Sequence, residues 1–238
     1  GGGWCTLPAA VQEANALPGP DTVTIAVTQA IDLNSGITIT DDLTIRSGLD
    51  TMASVNRTGT TPIFVVADPS LPAVTFERLD ISGGQSAEAG SAVWLERAGE
   101  ATFLGCRIHD CSSAGGGAIG VGTYSGNILV DGCGLVDNSS TSGGAAIAVY
   151  GNPVDQRGVL EIRGSAFNSN TATAASEGGG AIAVLNTFWD VVISDTSFVY
   201  CSDAGGGGGA IKLDANTSDP ITARIERCGF TWCSAAAE

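Results

Sequence analysis

Seven cysteines, a single histidine and two aspartates in matching places are the residues whose types could do chemistry in this 238-residue chain. Cys106 and Cys133 hold the same place in consecutive copies of a repeated phrase, and Cys201 and Cys233 share a second place. Thiols so placed can oxidise across copies, because a disulfide joins Cα atoms about 4.4 to 6.8 Å apart and stacked strands are spaced within that window. Bonds within one copy, Cys106 to Cys111 or Cys228 to Cys233, require a sharp turn between the partners. A third reading makes these residues small buried thiols standing where other copies carry Asn, Ser or Thr. The sequence leaves the three open, and the expectation carried forward is that Cys106–Cys133 or Cys201–Cys233 is bonded. There is no CxxC pair, and one histidine does not make a zinc site.

Asp110 and Asp137 also share a column, and glycoside hydrolysis needs two carboxylates roughly 5 to 9.5 Å apart. The next copies put Ser169, Tyr200 and Trp232 in that column, which reads as an exposed turn rather than a reactive pair. His109 beside Asp110 has the composition of an acid–base pair, yet neighbours on a strand point to opposite faces. Lyase chemistry calls for a basic group beside a calcium-binding acidic cluster, and no Asn-x-Asp or Gly-His-Gly phrase is present. The glycine runs at Gly115 to Gly117, Gly178 to Gly180 and Gly205 to Gly209 lack the Lys-Ser/Thr of a phosphate cradle and read as turns. Asn138 and Asn170 match and read as an amide ladder inside a turn; the sequons at Asn56, Asn138 and Asn216 matter only in a glycosylating host. No catalytic residue, metal or cofactor is assigned.

The elements that must carry these residues are written into the repeat. Five copies place an apolar residue two positions after a Cys, Ser or Thr, and a Cys or Asn three positions later: Cys106 to Cys111, Cys133 to Asn138, Ser165 to Asn170, Thr196 to Cys201, Cys228 to Cys233. Glycine and a small-apolar strand follow the first four, as in Ala145-Ala146-Ile147-Ala148-Val149. The apolar residues Ile108, Leu135, Phe167, Phe198 and Phe230 are 27, 32, 31 and 32 residues apart, and Ile81 lies 27 before the first. Such variation fits strands in register joined by loops of changing length, whereas glycine runs would cost a helix roughly 1 kcal/mol per residue. The expected fold is a parallel β-helix, three short strands to a coil, with Ile81, Ile108, Leu135, Phe167, Phe198 and Phe230 as one interior stack.

Ahead of it, residues 6–17 read as the one good helix, with Thr6 as N-cap, Pro8 in the first turn and Leu7, Ala10, Val11, Ala14 and Leu17 on one face. A lone helix there is suited to cover the open end of a solenoid. Residues 21–81 form the first coils, with 49–62 as a loop excursion, and residues 82–238 form the Gly-rich coils of the same single domain. After Cys233 the pattern calls for glycines and another strand but reads Ser234-Ala235-Ala236-Ala237-Glu238, so the last coil looks incomplete. The expectation is that further coils, an adjoining domain or a head-to-tail neighbour covers it.

Composition narrows the partners. A hydrophobic fraction of 43% with only 15% charged residues is that of a packed chain rather than a disordered one. The net charge of −15 excludes nucleic acid and anionic membrane surfaces as natural partners, since phosphate neutralisation needs clustered Lys and Arg. No membrane-spanning run is visible, so no membrane insertion is expected.

The stretch Trp4-Cys5-Thr6-Leu7-Pro8-Ala9-Ala10-Val11-Gln12-Glu13-Ala14-Asn15 resembles the N-terminal CSLREAI-type motif of bacterial and archaeal extracellular proteins. Leu43 to Gly48 and Leu79 to Gly84 resemble the early strands of that CSLREAI-type family, and the Phe-x-x-Asn and Gly-Gly-Ala-Ile units resemble repeats of chlamydial polymorphic outer-membrane proteins. Pro8-Ala9 stands where the motif has Arg-Glu, and Cys replaces the repeat Asn in three coils. The resemblance implies a right-handed parallel β-helix, secretion, and display at the cell surface as a structural or adhesive module that meets a glycan or a host surface. It transfers no catalytic residues. The alternative expectation, drawn from the fold, is a polysaccharide lyase or glycoside hydrolase acting on acidic glycans.

Overall fold

The computed structural model describes residues 5–150, 158–173, 178–187, 189–215 and 222–236. Apart from one helix, α1 (Leu7–Ala14), the described elements are β-strands. They pair in parallel, each with its counterparts in the coils before and after, and stack into a β-solenoid. Sheet A has eight strands, from Asp21–Ile25 to Ala223–Glu226; sheet B has thirteen; sheet C has seven, from Ile37–Ile39 to Ile211–Ala215.

Alternation of apolar and polar residues sends one face of each strand inward, as in the buried Leu43, Ile45 and Ser47 of Leu43–Ser47. The inward residues then line up coil by coil. In sheet B, Val55, Ile81, Ile108, Leu135, Phe167, Phe198 and Phe230 follow one another in register. The rings of Phe167 and Phe198, and of Phe198 and Phe230, stack with centroids 4.9 Å apart. Ile81 to Phe198 are fully buried, but Phe230 is 51% exposed because no described coil lies above it. Sheet A holds a second aromatic pair, Phe76 and Phe103, 5.2 Å apart.

Two local expectations are corrected. Residues 49–62 are not simply an excursion: Ala53–Gly59 is a strand of sheet B, paired on both sides. Its inward residues are Ala53, Val55 and Arg57, too weak an apolar signal to read as a strand. The helix stops at Ala14, not residue 17, and buries Leu7, Val11 and Ala14, while Leu17 is exposed. Asn15 leaves the helix to donate from Nδ2 to the Thr38 carbonyl (2.8 Å) and to accept from the Thr40 amide (2.9 Å). It supplies the partner that this strand edge would otherwise lack.

From Gly105 on, each coil turns two corners through a residue in the left-handed region. One column is Gly105, Gly132, Gly164, Asp195 and Arg227; the other is Asp110, Asp137, Ser169, Tyr200 and Trp232, with φ between 51° and 62° throughout. Beyond the second corner comes a fourth strand of two residues, such as Ser139–Ser140, so a full coil has four strands rather than three. The glycine runs then pass close against sheet C. A β-carbon at Gly117, whose φ is +77°, would strike the Ile119 carbonyl and lie 2.8 Å from the Ala148 amide nitrogen. That coverage explains why Ala145 to Val149 are buried on both faces.

Candidate functional site

The chemically capable residues sit at the corners. Immediately after each left-handed residue an inward side chain ties its corner to the coil before. In the first column the Cys106 thiol donates to the Phe76 carbonyl (3.3 Å), the Cys133 thiol to that of Phe103 (3.4 Å), and the Ser165 hydroxyl to that of Val130 (3.4 Å). Each also receives a backbone amide from below: Cys106 N donates to Cys133 Sγ (3.3 Å) and Cys133 N to Ser165 Oγ (3.1 Å). In the second column Asn138 donates to the Ile108 carbonyl (3.0 Å) and to Asn170 Oδ1 (3.0 Å), and Asn170 donates to the Leu135 carbonyl (2.8 Å). Cys201 and Cys233 continue this column through bonds to the Phe167 and Phe198 carbonyls at 3.6 and 3.5 Å. The amide ladder thus includes thiols as well as amides.

All seven cysteines are free thiols, and the cross-coil bonds Cys106–Cys133 and Cys201–Cys233 are not formed. The stacking that sequence columns require is present, but the thiols are used as hydrogen-bond donors. Burial pushes Cys111 up to about 12 and Cys201 up to about 11. The Cys106 thiol is pushed well above its ordinary value, first by its bond to Cys133 and then by burial. The same bond lowers the Cys133 thiol, whereas Cys106, Cys111 and Cys201, held protonated, are poor nucleophiles, since exchange and oxidation proceed through thiolate.

His109 and Asp110 are brought together, against expectation. His109 lies on a strand, but Asp110 is the left-handed corner residue, so its carboxylate turns back to within 2.6 Å of Nδ1. Nε2 lies 3.0 Å from Asp80 Oδ1 in the preceding coil. Strand alternation does not govern a corner, and the rule that neighbours face apart fails there. Asp137 occupies the corner one coil on, with its side chain in the same exposed column. Among the described residues no group of three or more His, Cys, Asp or Glu side chains is arranged to hold a metal ion.

The glycine run after Ala204 does bind an anion, the chain's own. Asp203 is buried and accepts from the amides of Gly205 (3.2 Å) and Gly207. Arg57, also buried, donates to the Thr61 and Pro62 carbonyls, a role the sequence did not suggest. Asn56 accepts from Ser54 and Ser82 on the outer face of sheet B, at 3.1 and 2.8 Å, and the sequon at Asn216 lies outside the described residues.

Two outer features recur or stand open. Ser112, Ser139, Thr171, Ser202 and Ser234 pair in register down the short fourth strands with their side chains outward, one hydroxyl per coil. Each falls directly after the second Cys or Asn of the repeated phrase, so the phrase itself marks the ladder. Beside this ladder stand the corner residues Tyr200 and Trp232, 57% and 74% exposed. At the last described coil an apolar hollow of about 410 Å3 is lined by Ile211, Leu213, Ile225, Phe230 and Cys233. No helix among the described residues is long and apolar enough to cross a membrane. No protein-family model matches this chain, no curated protein matches it, and no solved structure matches it.

Proposed function

We propose that the chain is a structural or adhesive module that works outside the cell, displayed at a surface. The observation that carries this reading is where the polar side chains go: Cys106, Cys133, Asn138, Asn170, Cys201 and Asp203 all bond the backbone of their own or a neighbouring coil. Such a body is stiff and repetitive, and what it offers outward recurs with each coil. The acidic surface and the resemblance to secreted β-helix proteins agree with this placement. Fractionation of producing cells tests it: recovery at the surface or in the medium is expected, and recovery only in the cytosol would overturn it. The same reading has the apolar hollow at Phe230 and Ile225 covered by further coils, an adjoining domain or a head-to-tail neighbour presenting its N-terminal region.

A second reading is favoured by one contact set, His109 between the carboxylates of Asp80 and Asp110. It makes the chain a glycoside hydrolase or polysaccharide lyase on acidic glycans, with this trio as acid and base. Release of reducing ends or of an ultraviolet-absorbing unsaturated product from polygalacturonate, abolished in His109→Ala, would establish it.

A further inference from the structure

We propose that the outer strip formed by the hydroxyl ladder and the Tyr200–Trp232 corner binds a neutral linear polysaccharide along the solenoid axis. The inference rests on the adhesive reading above and names its ligand class. Four features of the strip support it. First, Tyr200 and Trp232 follow one another in adjacent coils of a column whose backbone is left-handed, φ 53° and 56°. Bulky side chains are disfavoured there, and the earlier coils fill the position with Asp110, Asp137 and Ser169. Aromatic rings kept in a strained and exposed position call for a use at the surface.

Second, the rings stand beside outward hydroxyls repeated once per coil, at roughly the 4.8 Å spacing of paired strands. Only one neighbouring pair, Thr171 Oγ1 and Ser202 Oγ at 3.2 Å, is bonded within the ladder. A sugar presents the same two chemistries, a C–H face that lies on an aromatic ring and hydroxyls that exchange hydrogen bonds. A surface periodic along one axis matches a ligand periodic along its chain. Third, farther along the strip lies a groove of about 310 Å3 lined by Thr60, Gln85, Ser112, Ser113, Ala114 and Thr141. The side chains of Thr60, Gln85 and Ser112 on its walls are exposed and polar.

Fourth, charge sets the class. The chain carries −15 overall, and the charged groups in the corner column are the carboxylates Asp110 and Asp137. An anionic glycan is repelled where Asp110 and Asp137 stand and by the net charge of the chain, whereas vicinal sugar hydroxyls donate readily to carboxylates.

Affinity electrophoresis in native gels cast with a soluble linear glucan, mannan or xylan, and with polygalacturonate as the acidic comparator, tests the proposal. The variants follow residues the fold already accepts: Tyr200→Ser copies Ser169, and Trp232→Asp copies Asp137. At least one neutral polysaccharide should retard the protein, each variant should weaken that retardation about tenfold or more with an unchanged thermal transition, and polygalacturonate should leave mobility unaltered. Unchanged mobility in every neutral gel, retardation that survives both substitutions, or preference for polygalacturonate would overturn it. Any of these results leaves surface location to be judged by fractionation alone, so the two readings fail separately.

Discussion

The first and the last described coils of the solenoid meet the same physical demand in different ways. At the N-terminal end, α1 lays Leu7, Val11 and Ala14 over the first coil and Asn15 pairs with the Ile37–Ile39 edge through Thr38 and Thr40. At the other end, Ala223–Glu226 and Gly229–Thr231 have no described neighbour above, and Ile225 and Phe230 are 42% and 51% exposed. Arg227 there forks onto Asp195 at 2.6 and 2.7 Å, and its hydrogen bonds first, then its charge, hold the Asp195 carboxyl below the usual range. The difference teaches that a parallel stack is limited by its edges rather than its middle. A covered edge has partners for its backbone groups, whereas an edge with no described neighbour leaves them open to pairing.

The largest effect that sharpens this contrast is in the aromatic stack. Phe198→Ala, between two rings, should cost about 3 to 5 kcal/mol in urea denaturation, and Phe230→Ala, half exposed at the open end, only about 1 kcal/mol. Equal costs would mean that the end is covered in solution. Next is the cap: Val11→Asp puts a charge into the apolar contact and should cost about 3 kcal/mol, with amide exchange accelerating first in Asp21–Ile25. If exchange there is unchanged, α1 is not what protects that edge.

Asn15→Ala should cost about 1 to 2 kcal/mol and expose the Thr40 amide, while the strands near Phe198 keep their protection. A further effect, confined to alkaline pH, follows from the thiols. An unfolded thiol ionises near 9, while Cys111 in the folded chain does so near 12. The folded state therefore holds its proton longer, so this contribution is complete below the unfolded value and drains away as pH rises from about 9 to about 12. The urea midpoint should fall across that window, and Cys111→Ser should flatten part of the fall. A thiol titration in denaturant completes the set: seven free thiols agree with the ladder, whereas five or fewer would mean that a cross-coil disulfide has replaced two of its members.

Much of this was legible in the repeat. Ile108, Leu135, Phe167 and Phe198 occupy one column because alternation and phrase position fix both face and coil, and Gly117 and Gly179 are required by close backbone approach. What escaped notice depends on geometry that alternation does not describe. Asp110 meets His109 because a left-handed corner reverses its direction, and Ala53–Gly59 forms a strand because neighbouring coils pair with it on both sides. The thiols were placed in the right columns, but column position alone does not distinguish a donor to a carbonyl from half of a disulfide. Trp189 is fully buried although nothing in its segment announces a core residue.

The corners hold a last implication. Ile108 to Leu135 spans 27 residues and Leu135 to Phe167 spans 32, yet both steps are one strand spacing along the axis. Extra residues are spent sideways, in the loops, and never change the pitch. The reach of the rod is therefore quantised: it grows or shrinks by whole coils, and a duplicated repeat lengthens it by a fixed increment whatever its loop contains. Loop sequence and rod length are free to evolve independently, so the flank can change what it touches without moving anything beyond it.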